Sequence, residues 1–471
     1  MKVIKNYIYN VMYQIFVLII PLVTIPYVSR VLGSEGIGIN AYTNSVITYF
    51  ILFGSIGVNM YGNRAVAYVR EDIAKLTKTF WEITFLKFIT IGMSYIVFMF
   101  FLYHVQTYRS FYLYQSILII AAGVDISWFF MGMEEFKKIV LRNIIIKIVS
   151  LLSIFIFVKT QDDIGLYICI LAISTLLGNL VLWSSLSKFI RKPVFKSLNV
   201  IRHLGPTIAL FIPQIAMQMY FVLNKTMLGY LTNIQNVGYY ENADKIIKIV
   251  LTFATSISTV MLPRMANLYS RGDLKKIQKY LINSFDFVSA ICFPMAFGLS
   301  AIAPKFSAWF FGSQFLVTGE LIPILSIIII FMGWGSVLGD QYLLPTNKTK
   351  YYTISVTTGA IVNVVMNILL IIYFDIYGTV YAIIISEAVV VFTQLLFINK
   401  TMDIRKLFFG TWKYLSSSII MFVIIKSLNN VMQGNILNFL FQVLIGSIIY
   451  ISTIILIKAP ILNTAKTLFK R

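Results

Sequence analysis

The sequence predicts an all-α polytopic membrane protein with 14 transmembrane helices. Two six-helix bundles are related by a pseudo-twofold axis along the membrane normal, and two C-terminal helices follow. Three observations predict this. Of 471 residues, 59% are hydrophobic and 12% charged, with a mean hydropathy of +0.84. Apolar segments of about 20 residues, long enough to cross a hydrocarbon core as helices, recur from end to end. The landmarks of the first half return, in order, in the second.

The expected spans are 6–32, 37–63, 81–104, 111–132, 140–158, 164–187, 205–231, 237–263, 281–303, 319–345, 353–374, 378–399, 413–430 and 438–458. The first follows "MKVIKNYIYN", which has the lysines of a signal peptide. Its apolar run continues to Leu32 without a small-residue cleavage site, so it reads as a retained span. An even number of spans puts both termini on one side. Of 39 Lys and Arg, the loops opposite the termini hold only Arg109, Lys159 and Lys305. Short cytoplasmic loops accumulate Lys and Arg, so both termini are expected in the cytoplasm, across a bacterial cell membrane. Topology and anionic lipid account for the net charge of +21, and no nucleic-acid partner is needed.

The repeat joins these spans into halves. Gly38 and Arg64 are as far apart as Gly238 and Arg264, with "GIGINAYTN" opening one segment and "NVGYYENAD" the other. "DDIGLYICILA" and "FDIYGTVYAII" open the sixth and twelfth spans alike. The expected division is 1–195 and 200–400 for the two six-helix bundles, then 405–471 for two more spans and a tail. An even number of spans per half gives both copies one orientation, an arrangement that transporters use to form a cavity between the halves.

Several function classes are excluded. No G-x-x-x-x-G-K-[ST] phosphate cradle occurs, and no loop is large enough for a catalytic domain, so the chain is not expected to be an enzyme. Cys169 and Cys292 sit in apolar segments and suggest neither disulfide nor metal site, and His104 and His203 fall at segment ends. No cofactor is expected beyond a coupling proton or sodium ion.

The cations within spans include Arg30, Lys87, Lys147, Lys225, Lys245, Lys248 and Lys426. Intramembrane charges face a wet interior, a partner or the headgroups. Arg30, in "PLVTIPYVSRVLG", is the lone charge between Asn6 and Leu32, and arginine suits a bidentate phosphate contact. In "PQIAMQMYFVLNKTMLGY", Gln214, Gln218 and Lys225 are spaced i, i+4, i+11 on one face, which either lines a cavity or lets Lys225 snorkel outward. In "VGYYENADKIIKIV", Glu241, Asp244, Lys245 and Lys248 share another face, as a cavity wall or as a self-neutralised ladder. Asp125 in "GVDISWFFMGMEEFKK" has no basic neighbour within one turn. It is either an ion-coupling site or the partner of a distant lysine such as Lys87 or Lys147. Asp340 in "WGSVLGDQYLLP" occupies a similar place in the second half, and Glu387 is a weaker carboxylate candidate in the twelfth span.

The chain resembles the Wzx-type polysaccharide flippases of the multidrug/oligosaccharidyl-lipid/polysaccharide exporter superfamily over essentially its whole length. The resemblance is carried by "PYVSRVLGSEGIG", "YGNRAVAYVR", "GVDISWFFMGMEEF", "NKTMLGYL" with "VGYYENADKI", and "LPRMANLYSRGD". It implies a V of two bundles around a cationic cavity. It also implies translocation of undecaprenyl-diphosphate-linked oligosaccharide from the cytoplasmic to the outer leaflet by alternating access. Arg30, Lys225 and Lys245 would then meet the diphosphate or acidic sugars, with Gln214 and Gln218 beside them. Asp125, Glu241 and Asp244 would couple an ion or hold the lysines. Membrane lipids, a polysaccharide polymerase and glycosyltransferases are the implied partners, for a chain acting as a monomer. One departure is Asn224, where the pattern often has Asp before Lys-Thr-Met-Leu-Gly. The rival reading is a multidrug exporter of the same fold, whose cavity should be acidic or aromatic where these spans hold bases.

Overall fold

The computed structural model describes residues 2–195, 198–399 and 401–462, with side chains from Ile19 onward except at 212–214, 216, 217, 219–221, 257, 259 and 260. It is all helical, with no strand among the described residues. The helices are α1 (Lys2–Ser55), α2 (Val58–Val69), α3 (Ile73–His104), α4 (Arg109–Val124), α5 (Ser127–Gly132), α6 (Phe136–Phe157), α7 (Ile164–Ser184) and α8 (Leu204–Leu231). They continue as α9 (Ile234–Ser270), α10 (Leu274–Phe311), α11 (Leu316–Leu325), α12 (Ile327–Leu338), α13 (Thr349–Phe374), α14 (Ile376–Asn399), α15 (Arg405–Phe408), α16 (Thr411–Val431) and α17 (Ile436–Leu456). A π-helical turn, Gly339–Leu343, prolongs α12.

Eleven helical segments among the described residues are long and apolar enough to cross a membrane. The bent pair 313–325 and 327–343, which meet at 44°, makes twelve. The protein is therefore a multi-pass membrane protein. That number counts 19–69 once, although α1 breaks inside it, and leaves out α8, many of whose side chains lie outside the described residues. Lipid-facing surfaces are apolar, as at Ile96, Phe100 and Leu456.

Three expected spans are broken, each for a local reason. In α1 the break is Gly33, with φ 67° and ψ −177°, a conformation that costs a side chain dearly and glycine little. It lies one residue beyond the expected end of the first span. The second expected span, 37–63, is interrupted between Ser55 and Val58, where Gly57 has φ 75°. The fourth, 111–132, breaks at Asp125, where α4 ends in an extended residue. The tenth holds the α11–α12 bend and the π turn with Asp340.

Two compact units follow one another, 1–226 and 227–471, the boundary falling within α8. In the first, polar side chains tie α1 to α4. Gln115 Nε2 donates to Asn40 Oδ1 at 3.1 Å and Thr43 Oγ1 at 3.2 Å, while Asn44 Nδ2 donates to Gln115 Oε1 at 3.1 Å. Such interhelical hydrogen bonds fix register where lipid supplies no hydrophobic drive between helices.

The core of the first unit explains two of the quoted motifs. α2, from "YGNRAVAYVR", packs on α5, from "GVDISWFFMGMEEF". Trp128 stacks on Phe80 at 5.5 Å and 21°, and a Cβ on Gly62 would stand 2.4 Å from the Trp128 ring. A Cβ on Gly132 would stand 2.7 Å from the Asn63 carbonyl oxygen and from Val66. Arg70 and Glu134 close the far end with a 2.6 Å ion pair. Backbone cannot yield as a side chain can, so Gly132→Ala is expected to destabilise the protein by about 1–3 kcal/mol. A lowered thermal unfolding midpoint in detergent checks this, and an unchanged one would refute the packing account. In the second unit the turn of "LPRMANLYSRGD" uses Gly272 at φ 70°, after which Asp273 accepts from Lys276 N at 3.1 Å and opens α10.

Candidate functional site

The first unit buries a cation at the break between α4 and α5. Lys87, on α3, is 2% exposed, and its Nζ donates to the Asp125 carbonyl oxygen at 2.7 Å and to Asn59 Oδ1 at 3.5 Å. The last carbonyls of a helix lack intrahelical partners, and an ammonium suits that end of the dipole. The Asp125 carboxylate in turn accepts from Ser127 N at 2.9 Å and Ser127 Oγ at 3.0 Å, capping α5. Of the two lysines named as distant partners, the fold brings Lys87 to Asp125. Lys147 is half-buried on α6.

Arg30 is exposed, three residues before the Gly33 break. Lys225 is half-buried on α8, between the wholly buried Asn224 and Thr226, which reaches Ser45 Oγ at 2.9 Å and Tyr49 Oη at 3.3 Å. The Asn224 side chain thus packs inside the unit. Gln218 is exposed, and the Gln214 side chain lies outside the described residues.

In the second unit the charged face of α9 pairs along itself. Lys245 Nζ lies 3.0 Å from Glu241 Oε1, and Lys248 Nζ lies 2.6 Å from Asp244 Oδ2. The carboxylates are the buried partners, with side chains 11% exposed, whereas Lys245 and Lys248 are 31% and 44% exposed. This is the i, i+4 arrangement expected of the ladder. Deeper in, Asp340 accepts from Ser336 Oγ at 2.9 Å and from Tyr352 Oη at 3.4 Å. Ser258 on α9 joins Ser336 at 2.7 Å and Gln341 at 2.8 Å. Glu387 is buried on α14, near enough to act electrostatically on Tyr352. The two breaks that carry an aspartate, one in each unit, are therefore polar points inside apolar bundles.

Sequence reasoning passed over a third cluster. Glu82 on α3 is 0% exposed and accepts from Asn199 N at 2.6 Å, Arg202 Nη2 at 2.5 Å and His203 Nε2 at 2.9 Å. A carboxylate only accepts, so His203 Nε2 carries the hydrogen. His203 Nδ1 stands 2.7 Å from the Tyr61 hydroxyl. Burial first, then Arg202, pushes the His203 pKa below its ordinary value, against the pull of the Glu82 hydrogen bond. A neutral ring then accepts a hydrogen bond at Nδ1 from the Tyr61 hydroxyl. The cluster ties the connection between α7 and α8 to α2 and α3. The one sequence signal was a glutamate at the start of the third expected span, 81–104, next to the basic segment that precedes it.

No group of His, Cys, Asp and Glu suited to a metal occurs among the described residues. The described residues combine cations at accessible positions, acids held against lysines, and carboxylates where helices break.

The family described as "Polysaccharide biosynthesis protein" matches residues 3–269. A protein of Shigella dysenteriae described as an O-antigen transporter is 22% identical over 379 residues, covering 80% of this chain and 94% of that protein. A protein of Haloferax volcanii described as a low-salt glycan biosynthesis flippase is 22% identical over 185 residues, 39% of each chain. Among solved structures, the lipid II flippase MurJ in an inward closed conformation matches with a TM-score of 0.78 at 18% identity, covering 95% of this chain and 98% of that one. An outward-facing multidrug resistance MATE transporter matches with a TM-score of 0.56 at 12% identity, covering 85% and 97%. At these identities the structural likeness shows the fold.

Proposed function

The chain belongs to the polysaccharide biosynthesis protein family, and we propose on that premise that it is a flippase for lipid-linked oligosaccharide. The substrate class is an undecaprenyl-diphosphate-linked repeat unit, moved from the cytoplasmic to the outer leaflet for a surface polysaccharide. The observation that carries this reading is the likeness, over nearly the full length of that protein, to one described as an O-antigen transporter.

The positive-inside asymmetry supports a bacterial cell membrane with both termini cytoplasmic. Fourteen spans follow if the two arms of α1 and α8 are each counted. They are grouped as 1–195, 200–400 and the pair in 405–471. Arg30, Lys225 and Lys245 supply cations for the diphosphate or acidic sugars, with Gln214 and Gln218 for sugar hydroxyls. Glu241 and Asp244 hold the lysines of α9 or, with Asp125, couple a proton or sodium ion. The chain works as a monomer without enzymatic chemistry, receiving substrate from glycosyltransferases and passing it to a polymerase.

Vesicles reconstituted with the protein and a lipid-linked oligosaccharide test this. Access of an external lectin or glycosidase to glycan loaded on the far leaflet should rise well above that in protein-free vesicles. It should respond to an imposed pH or sodium gradient if transport is ion-coupled. The MATE-like fold favours a second reading, a multidrug exporter. Transport of a cationic dye with no glycan movement would overturn the flippase in its favour.

A further inference from the structure

A cavity of about 430 Å³ lies at the basic end of α3, between that helix and the segment after α7. Its walls include Lys75, Lys78, Trp81, Arg191, Lys192 and Val194. The segment is fixed in place: Trp81 Nε1 donates to the Arg191 carbonyl at 3.0 Å, Arg191 N donates to Thr77 Oγ1 at 3.2 Å, and Asn199 N donates to buried Glu82. The pocket is therefore preformed.

The acids nearby do not neutralise it. Lys75 is 3.3 Å from exposed Asp72, and Lys78 is 4.0 Å from Glu82, whose carboxylate is already taken by Arg202 and His203. Arg191 and Lys192 form no ion pair among the described residues. An aromatic ladder runs from the pocket along α3 into the apolar span. Trp81 stacks on Phe85 at 5.7 Å, Phe85 meets Phe195 at 5.8 Å and Phe88 at 6.5 Å, and Phe88 stacks on Trp183 at 6.1 Å. Val194 and Phe195 are 66% and 71% exposed, which is tolerable in lipid and costly in water.

Four cations at the end of a membrane-spanning helix, beside exposed aromatic and aliphatic surface, match a ligand with an anionic head and a hydrocarbon tail. A soluble phosphate would use the cations and leave the aromatic wall bare. We propose that this pocket holds the phosphate headgroup of an anionic phospholipid of the surrounding leaflet, its acyl chain lying against Phe195, Phe85 and Phe88. Bound there, the lipid bridges α3 to the α7–α8 connection, which the Glu82 cluster also fastens. The inference uses the membrane placement of the chain and is independent of what the chain transports.

The test is native mass spectrometry of the full chain in neutral detergent, titrated with phosphatidylglycerol, with phosphatidylcholine, and with inorganic phosphate as competitor. Phosphatidylglycerol should be retained more tightly than phosphatidylcholine and should resist millimolar phosphate. Each cation removed is expected to weaken its binding about fivefold, so Arg191→Gln with Lys192→Gln should cost about 25-fold. Phosphatidylcholine binding should be unchanged. Phe195→Ser should weaken retention of both lipids. Equal affinity for the two lipids in the unaltered chain overturns the proposal without any variant. So does full displacement by phosphate, which would assign the pocket to a free anion, or a double variant that holds phosphatidylglycerol unchanged.

Discussion

Glu82→Ala is expected to lower the stability of the protein by about 2–4 kcal/mol, with less protein recovered from membranes and a lower unfolding midpoint in detergent. Glu82 is 0% exposed and receives three donors, from Asn199, Arg202 and His203. Arg202 is 45% exposed and can turn to water, so its share is small. The cost comes from His203, whose side chain is 5% exposed, from the Asn199 N–H, and from the space the carboxylate leaves. Glu82→Gln keeps an acceptor and should retain much of the stability. A midpoint unchanged by Glu82→Ala would remove the cluster from the account of the fold.

The same cluster predicts a pH dependence. Burial lowers the folded pKa of His203, so the folded state prefers the neutral ring. The unfolded ring titrates near about 6.5. Above that pH both states are neutral and the stability is fully present. As pH falls below it, the unfolded state takes up the proton first and stability declines. The midpoint should be level from about pH 8 to 7 and fall below about 6.5, and His203→Gln should flatten that fall.

Why this cluster escaped the sequence reading is a matter of distance along the chain. Glu82 and its partners are separated by 117 and 121 positions, and the partners lie in a polar connection that carries no periodicity. His203 looked inert because its neighbours in sequence gave it nothing to do. Segments with a strong apolar pattern were legible, since bilayer thickness sets helix length and hydropathy reports it. Continuity was not. Gly57, Asp125 and the π turn at Asp340 break helices through single residues, whereas hydropathy averages over a window. The motifs "YGNRAVAYVR" and "GVDISWFFMGMEEF" were visible as motifs. That they face each other through Gly62, Gly132 and Trp128 is a fact of tertiary packing. The α9 ladder was readable because its pairs are i, i+4 neighbours on one helix, where local geometry decides the contact.

Arg30→Ala and Lys225→Ala should each reach the membrane at normal abundance while glycan translocation falls about 10- to 100-fold, the worth of one charge-assisted hydrogen bond to phosphate. Abundance should hold because neither side chain fills a core. Arg30 is exposed and Lys225 half-buried, and the neighbouring Thr226 reaches Ser45 Oγ. Lys245 is a poorer target, since Glu241 already stands 3.0 Å away and removing the lysine would also break that ion pair. Arg30→Lys separates charge from shape. An ammonium keeps the charge but gives up the planar fork, so it should recover only part of the activity if the contact is bidentate, and nearly all if the charge alone matters. Surface polymer, measured beside membrane abundance at native expression, is the readout in cells, and the lectin assay is the readout in vesicles. Normal translocation by both alanine variants would take Arg30 and Lys225 out of the substrate path. The search for the diphosphate site would then move to Lys147, a half-buried cation on α6.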